Sequence, residues 1–296
     1  MPTTVEEGFK KLIENISTAD IDQSVVSARQ QEIVGICKNN IKIEDTFIAG
    51  SYLRNTLIPP VAEADIDIFL VLDNEHFLKH RDQQGGQAEL LGELRLALKP
   101  KYNQADISKN GQAVTIALDK FKLDLIPTFR RAEGGLFLPS SLNGSWIITD
   151  PKVHVLLVER ENKEQNGKLL PLIKMVKIWN RYHGSFFFFF HLEAVSLRIF
   201  KEVNIDDYPS GFRYFFDSAR NHIKEVCPDP AGFGGNVGYY LNTQAKIDKA
   251  VSLLEEAFTI SNKAENEGLN TFTSVAYHYW PSVFGEYFPT YGDEDL

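Results

Sequence analysis

Gly50-Ser51-Tyr52-Leu53-Arg54-Asn55-Thr56, followed by Asp65-Ile66-Asp67-Ile68-Phe69-Leu70-Val71-Leu72, sets the reading of the chain. A Gly-Ser turn leads into a loop, and the loop feeds an apolar run carrying two acids one residue apart. Residues i and i+2 of a strand point to the same face, so Asp65 and Asp67 aim their carboxylates at one region. Two like charges that close repel each other and cost stability unless a cation lies between them; a divalent metal is the simplest neutraliser. A glycine turn ahead of such a strand presents bare backbone N–H groups, which suit a phosphate. The pair reads as a metal–triphosphate site.

Farther along, Lys120-Phe121-Lys122-Leu123-Asp124-Leu125-Ile126-Pro127 reads as another strand. Asp124 sits between Leu123 and Leu125, and a lone carboxylate in an apolar strand is expensive. The metal held by Asp65 and Asp67 is its expected partner. Any one of these aspartates taken alone reads as an ordinary polar strand end. Asp-x-Asp after Gly-Ser with a third strand aspartate favours the metal. Glu63 and Asp73 flank the same strand and read as solvated surface.

Val5, Phe9, Leu12, Ile13 and Ile16 recur at helical spacing and predict an amphipathic helix over residues 3–16. Asp20 with Gln23 resembles a capping box for a helix over 20–39. Thr46-Phe47-Ile48-Ala49 predicts a short strand. Residues 86–99 predict a helix stopped by Pro100. Val114 to Leu118 predicts a strand, a tight turn away from the Asp124 strand. After Asp150-Pro151 the pattern becomes helical, with helices expected over 151–162, 169–182, 190–203, 209–225, 240–262 and 270–279. The expected domains are therefore 1–150 and 151–296. The acidic end, Gly292-Asp293-Glu294-Asp295-Leu296, is expected to be mobile.

At 296 residues, 43% hydrophobic and 24% charged, the composition is that of a soluble globular protein. No apolar run approaches the length of a membrane span. The start lacks the basic and apolar regions of a signal peptide. Two cysteines are too few for a disulfide framework or a structural zinc site, so a reducing cytoplasm is expected. A net charge of −9 argues against broad duplex nucleic-acid binding.

Gly50-Ser51, then Asp65-Ile66-Asp67, then Asp124 resembles the signature of the DNA polymerase β-type nucleotidyltransferase superfamily. The surrounding text narrows the likeness. Phe47 to Thr56, Phe121 to Pro127, Lys174-Met175-Val176-Lys177-Ile178-Trp179-Asn180, His191-Leu192-Glu193, Asp229-Pro230-Ala231-Gly232 and Asn236 to Leu241 resemble, in order, the CD-NTases. These are the bacterial relatives of cyclic GMP-AMP synthase and oligoadenylate synthase found in antiphage (CBASS) signalling. The ordered series covers most of the chain.

The resemblance implies an α+β fold: a polymerase β-like nucleotidyltransferase lobe with a mixed sheet, a C-terminal helical lobe, and the active site in the cleft between. It implies a first helix running along both lobes as a brace. It implies transfer from NTP substrates with two Mg²⁺ ions, replaceable by Mn²⁺, release of pyrophosphate and closure of a cyclic di- or trinucleotide. Asp65 and Asp67 would bind both ions, and Asp124 the one that activates the hydroxyl. Gly50 and Ser51 would hold phosphates, and Lys177, with Lys174 beside it, would contact the triphosphate.

The family usually shows Ser and then an aromatic before His-Leu-Glu, the Ser on phosphate and the aromatic on a base. Here Phe189 and Phe190 stand there, so Phe190 keeps the stacking role while the Ser is missing, with Ser185 four residues earlier. Most of Phe186 to Phe189 is expected to be core. Without the resemblance, Lys174 and Lys177 read as a solvated charged face, and His191 as a packing or capping residue. A nucleotidyltransferase acting on an RNA 3′ end, a drug or a protein is the alternative enzyme. A catalytically dead module is disfavoured by the intact acids. No membrane partner is expected, the effector being reached through a diffusible product. The bases joined, the linkage and any regulatory protein are left open.

Overall fold

In the computed structural model, the described residues are 2–18, 21, 23–38, 40–109, 111–269 and 273–292. In chain order the elements begin α1 (Val5–Asn15), α2 (Gln23–Cys37), β1 (Ile43–Ala49), α3 (Gly50–Leu53), β2 (Asp65–Leu72), α4 (Asn74–His80) and α5 (Gly86–Leu98). There follow β3 (Asp106–Ile107), β4 (Val114–Ala117), β5 (Lys122–Arg130), β6 (Leu136–Ser140) and β7 (Ser145–Thr149). The helices α6 (Pro151–Glu164), α7 (Leu169–Tyr182), α8 (Phe189–Ile199), α9 (Tyr208–His222), α10 (Gln244–Leu269) and α11 (Thr273–Phe284) complete the series.

Two compact units divide the chain. A sheet unit comprises Thr18–Leu156 with Ala231–Gly235, and a helical unit comprises Met1–Ser17, Leu157–Pro230 and Asn236–Leu296. This division differs from the expected one at residue 150: the first 17 residues group with the helices, and α6 crosses the division at Leu157.

The sheet runs β1-β2-β5-β4-β3, with β6 on the end of β5 and β7 on β6. β2 and β5 are parallel and the other pairs antiparallel, so the sheet is mixed. Alternation sorts each strand. Ile66, Ile68, Leu70 and Leu72 of β2 join Val114 and Ile116 of β4 and Leu123 and Leu125 of β5 in a core covered by Val26 and Ile33 of α2 and Leu90, Leu91, Leu94 and Leu98 of α5. Each fully buried Leu or Ile there contributes roughly 1.5–3 kcal/mol. The opposite face carries a smaller cluster, with Ala49, Phe69, Ala113, Ile126, Leu136 and Leu138. Acidic residues occupy the remaining end of that face.

The helical unit is built on aromatic contacts. Phe9 of α1 lies 4.8 Å from Trp280 and 6.0 Å from Phe284 by ring centroids, and Phe212 lies 4.7 Å from Phe284. α1 is held at its start by a capping box: the Glu7 N–H donates to Thr4 Oγ1 at 3.2 Å and the Thr4 N–H to Glu7 Oε2 at 3.1 Å.

Several expectations change. The hairpin β6–β7 was not anticipated, because Pro139 interrupts its first strand in the sequence; Asn143-Gly144, with Gly144 at φ +64°, closes its turn. Helix α4 was also not anticipated, and its N-cap corrects a second expectation. Asp73 is 3% exposed rather than solvated, accepts from the His76 N–H at 3.3 Å, and pairs with Lys42 at 3.2 Å. An acid at a helix start satisfies donors that have no partner within the helix. Glu63 is exposed, as expected. The capping role for Asp20 and the acidic end beyond Gly292 lie outside the described residues.

Candidate active site

Asp65 and Asp67 leave β2 on the face opposite the α2–α5 core, because Ile66 and Ile68 between and beyond them enter that core. The parallel ladder sets Asp67 beside Asp124 and Asp65 beside Lys122. Neighbouring strands lie about 4.8 Å apart, so three carboxylates from two adjoining strands share one face. On the other side of β5, Thr115 is the ladder partner of Asp124 and donates its hydroxyl to Asp124 Oδ1 at 2.5 Å.

Gly50 lies under this face. Its φ of +72° suits glycine, and a Cβ built there would stand 1.6 Å from Asp67 Oδ2. The segment after it is not the expected loop: Gly50 to Leu53 form one helical turn, α3, and Ser51 in that turn is half-buried.

Burial raises the Asp124 carboxyl above its ordinary value; the Thr115 hydroxyl lowers it and the Asp65 charge raises it again. Asp65 is exposed, yet the protein around its carboxyl displaces enough water to raise it, against a lowering by Lys122. Among the described residues, no group of three or more His, Cys, Asp and Glu side chains already converges as a metal-ligand set. The chemistry of the donors still fits a hard divalent cation. They are carboxylates alone, crowded on one face, with Asp67 free of any Cβ below it.

Lys174, Lys177 and Phe190 belong to the helical unit and form a second group. The solvated-face reading of the lysines does not hold. Lys177 is 1% exposed and ion-paired with Glu193 of α8, itself 1% exposed. Lys174 is half-buried, and burial lowers its pKa. Phe189 meets two cations: Lys177 Nζ and Arg181 Cζ each lie 5.6 Å from its ring centroid.

Only Phe187 of the phenylalanine run is fully core; Phe188 is 47% exposed, and Phe186, Phe189 and Phe190 are half-buried. Asn180 imposes that order. Its buried amide donates to the Phe187 carbonyl at 2.8 Å and accepts from the Phe187 N–H at 3.0 Å. Ser185 is exposed at φ +53° in the turn ahead of α8, four residues before its first residue, Phe189. His191 packs as expected: it is buried, its pKa is lowered to about 4 by burial, and its Nδ1 lies 3.0 Å from the Tyr240 hydroxyl.

A family profile described as "Second Messenger Oligonucleotide or Dinucleotide Synthetase domain" matches residues 3–162, more than half of the chain. The chain belongs to this synthetase family. It is similar to a probable cyclic nucleotide synthase of Bacillus cereus (strain VD146), 24% identical over 99% of this chain and 100% of the relative. It is also similar to the cyclic AMP-AMP-AMP synthase of Acinetobacter sp. (strain ATCC 27244 / 9458), 27% identical over 82% of this chain and 72% of the relative. Among solved structures, Escherichia coli MS115-1 CdnC with ATP matches with a TM-score of 0.75, 16% identity, and coverage of 97% of this chain and all of that one. The synthetase is thus a bacterial CD-NTase with a polymerase β-like α+β fold, a nucleotidyltransferase that makes cyclic oligonucleotides.

Sequence reasoning missed three residues of these groups. Thr115 was legible, because the tight turn joining β4 to β5 sets the hairpin register that places it opposite Asp124. Lys122 was legible too, since it alternates with Asp124. Glu193 as the partner of Lys177 joins two helices and had no local signal.

Proposed function

We propose that this synthetase joins NTPs into a cyclic di- or trinucleotide second messenger for antiphage signalling, releasing pyrophosphate at each transfer. The observation that carries the reading is the set Asp65, Asp67 and Asp124 on one sheet face, with Gly50 packed so closely against the Asp67 carboxylate that a Cβ there would stand 1.6 Å from its Oδ2. Asp65 and Asp67 would hold divalent cations, Mg²⁺ or Mn²⁺, with Asp124 as the third carboxylate of the set. When bound, such cations supply charge stabilisation to the transferring phosphoryl group and lower the pKa of the ribose hydroxyl. Ser51 offers its hydroxyl and N–H to the β and γ phosphates. Thr115 orients Asp124 through its hydrogen bond. The ribose hydroxyl bonds to the α phosphorus, the bridge to the β phosphate breaks, and pyrophosphate leaves. A second transfer within the linear product closes the ring.

Lys174, Lys177 and Phe190 of the helical unit serve nucleotide binding. Phe190 does so by stacking on a base, Lys174 by its half-buried ammonium, and Lys177 by holding the start of α8 through Glu193. The name of the Acinetobacter relative makes ATP the first substrate to try. Radiolabelled ATP, GTP, CTP and UTP, singly and mixed, with MgCl₂, test the proposal. Small phosphatase-resistant products are expected. Elongated RNA would mean an RNA acceptor, and an absence of turnover across all mixtures would mean a binding module.

A further inference from the structure

Lys122 stands across the parallel ladder from Asp65 and two residues before Asp124, on the face that both acids share. It is half-buried and, among the described residues, closes no ion pair within 4.0 Å, so its ammonium is not committed to one of their carboxylates. A lysine with an apolar surface nearby normally carries its charge out to water. This one remains close enough for its charge to act on Asp65 and on Asp124 alike, pulling both carboxyls back toward ionisation against the effect of burial. Lys122 is thus a cation on the same face as acids that burial and mutual repulsion destabilise.

We infer that Lys122 is the resident counter-charge of the acidic face, a positioning residue that keeps Asp65 and Asp124 together in the metal-free enzyme and competes with the incoming divalent cations, so weakening their binding. The inference rests on the reading of the acids as cation ligands. Its physical basis is that an ammonium and a divalent ion favour the same carboxylate oxygens, and that their positive charges repel. The competition lets the empty site remain ordered and leaves tight metal retention to the metal–NTP complex, whose phosphates bring negative charge that the ammonium can meet.

The test uses the full chain, with MnCl₂ alone as the probe and free Mn²⁺ counted by electron paramagnetic resonance. Lys122→Met keeps the length of the side chain and removes the charge. It is expected to bind Mn²⁺ about threefold tighter or more, while melting below the wild type in EDTA. Lys122→Arg, which restores the charge, is expected to return both quantities toward wild type. A role in packing alone would lower the melt and leave Mn²⁺ affinity unchanged, and that result overturns the inference, as does weaker Mn²⁺ binding. Should the wild type and an Asp65→Asn, Asp67→Asn control bind Mn²⁺ equally, the acids hold no cation and both readings fail. A control that loses Mn²⁺ beside an unchanged Lys122→Met isolates the failure to Lys122.

Discussion

Gly50 answers to two constraints at once, a positive φ and a carboxylate oxygen where its side chain would begin. Gly50→Ala is therefore expected to push Asp67 out of the acidic group and to lower product formation at least tenfold, each tenfold being about 1.4 kcal/mol of barrier; initial rates with labelled ATP measure it. Asp65→Asn with Asp67→Asn is expected to go further and abolish product formation, with circular dichroism unchanged. A double variant working above about a tenth of the wild-type rate would remove these acids from the mechanism. Asp124 gives a pH-dependent companion. Burial raises its folded pKa, so its ionised form costs stability above that pKa, and the cost vanishes once the carboxyl is protonated in both states. Asp124→Asn is expected to melt a few degrees above the wild type at pH 7 in EDTA. The gap should close as the pH falls toward about 4, the ordinary carboxylate range.

At the scale of elements, α7 and α8 are joined through groups that cannot be removed singly. Lys177 and Glu193 are each 1% exposed. Lys177→Ala takes the paired ammonium away from a buried carboxylate, a loss of about 3–5 kcal/mol, so a large fall in melting temperature is expected whatever the nucleotide does. Replacing both together, Lys177→Met with Glu193→Leu, is expected to restore most of the melt. Its KM for NTP then reports whether the ammonium serves the substrate. Phe190, in the first turn of the same α8, is half-buried, neither fully core nor fully exposed. Phe190→Ala is expected to weaken binding of all four NTPs by roughly 1–3 kcal/mol, because a stacked ring recognises the π-face that every base has. Nucleotide affinity by calorimetry, set beside the melt of the same variant, checks it. An unchanged affinity with a large loss of melt would make the residue core.

Over the whole molecule, the chain's first residues serve its last. Phe9 is 1% exposed and meets Trp280, Phe284 and Phe288 of the C-terminal segment. Its deletion to alanine opens a cavity among rings that cannot collapse to fill it, a cost of about 3–5 kcal/mol. Phe9→Ala is expected to lower the melting temperature of the helical unit while leaving Mn²⁺ binding by the sheet unit intact. A melt followed by tryptophan fluorescence reads the first quantity, since two of the three tryptophans, Trp179 and Trp280, lie in the helical unit and Trp146 in the sheet unit serves as the internal comparison. Both cysteines are free and buried, with their thiols raised to about 11 by burial, so stability rests on this packing and not on a disulfide.

The acids were legible in the sequence because alternation in a strand and the demand of a tight turn for glycine are short-range effects. Asp65, Asp67 and Gly50 needed no partner to be found, and the hydrophobic period alone drew α5, α7 and the long α10. Other features depended on which residues distant in sequence become neighbours. Lys177 reads as a surface lysine until α8 brings Glu193 against it, sixteen residues on. Asp73 reads as solvated until it caps α4 and meets Lys42. Residues 1–17 read as the start of the first domain until Phe9 enters the aromatic core made by the chain's other end. Local pattern measures which face a residue takes; only tertiary packing supplies the charge or the ring that face will meet, and buried charges and aromatic rings take most of their energy from that partner.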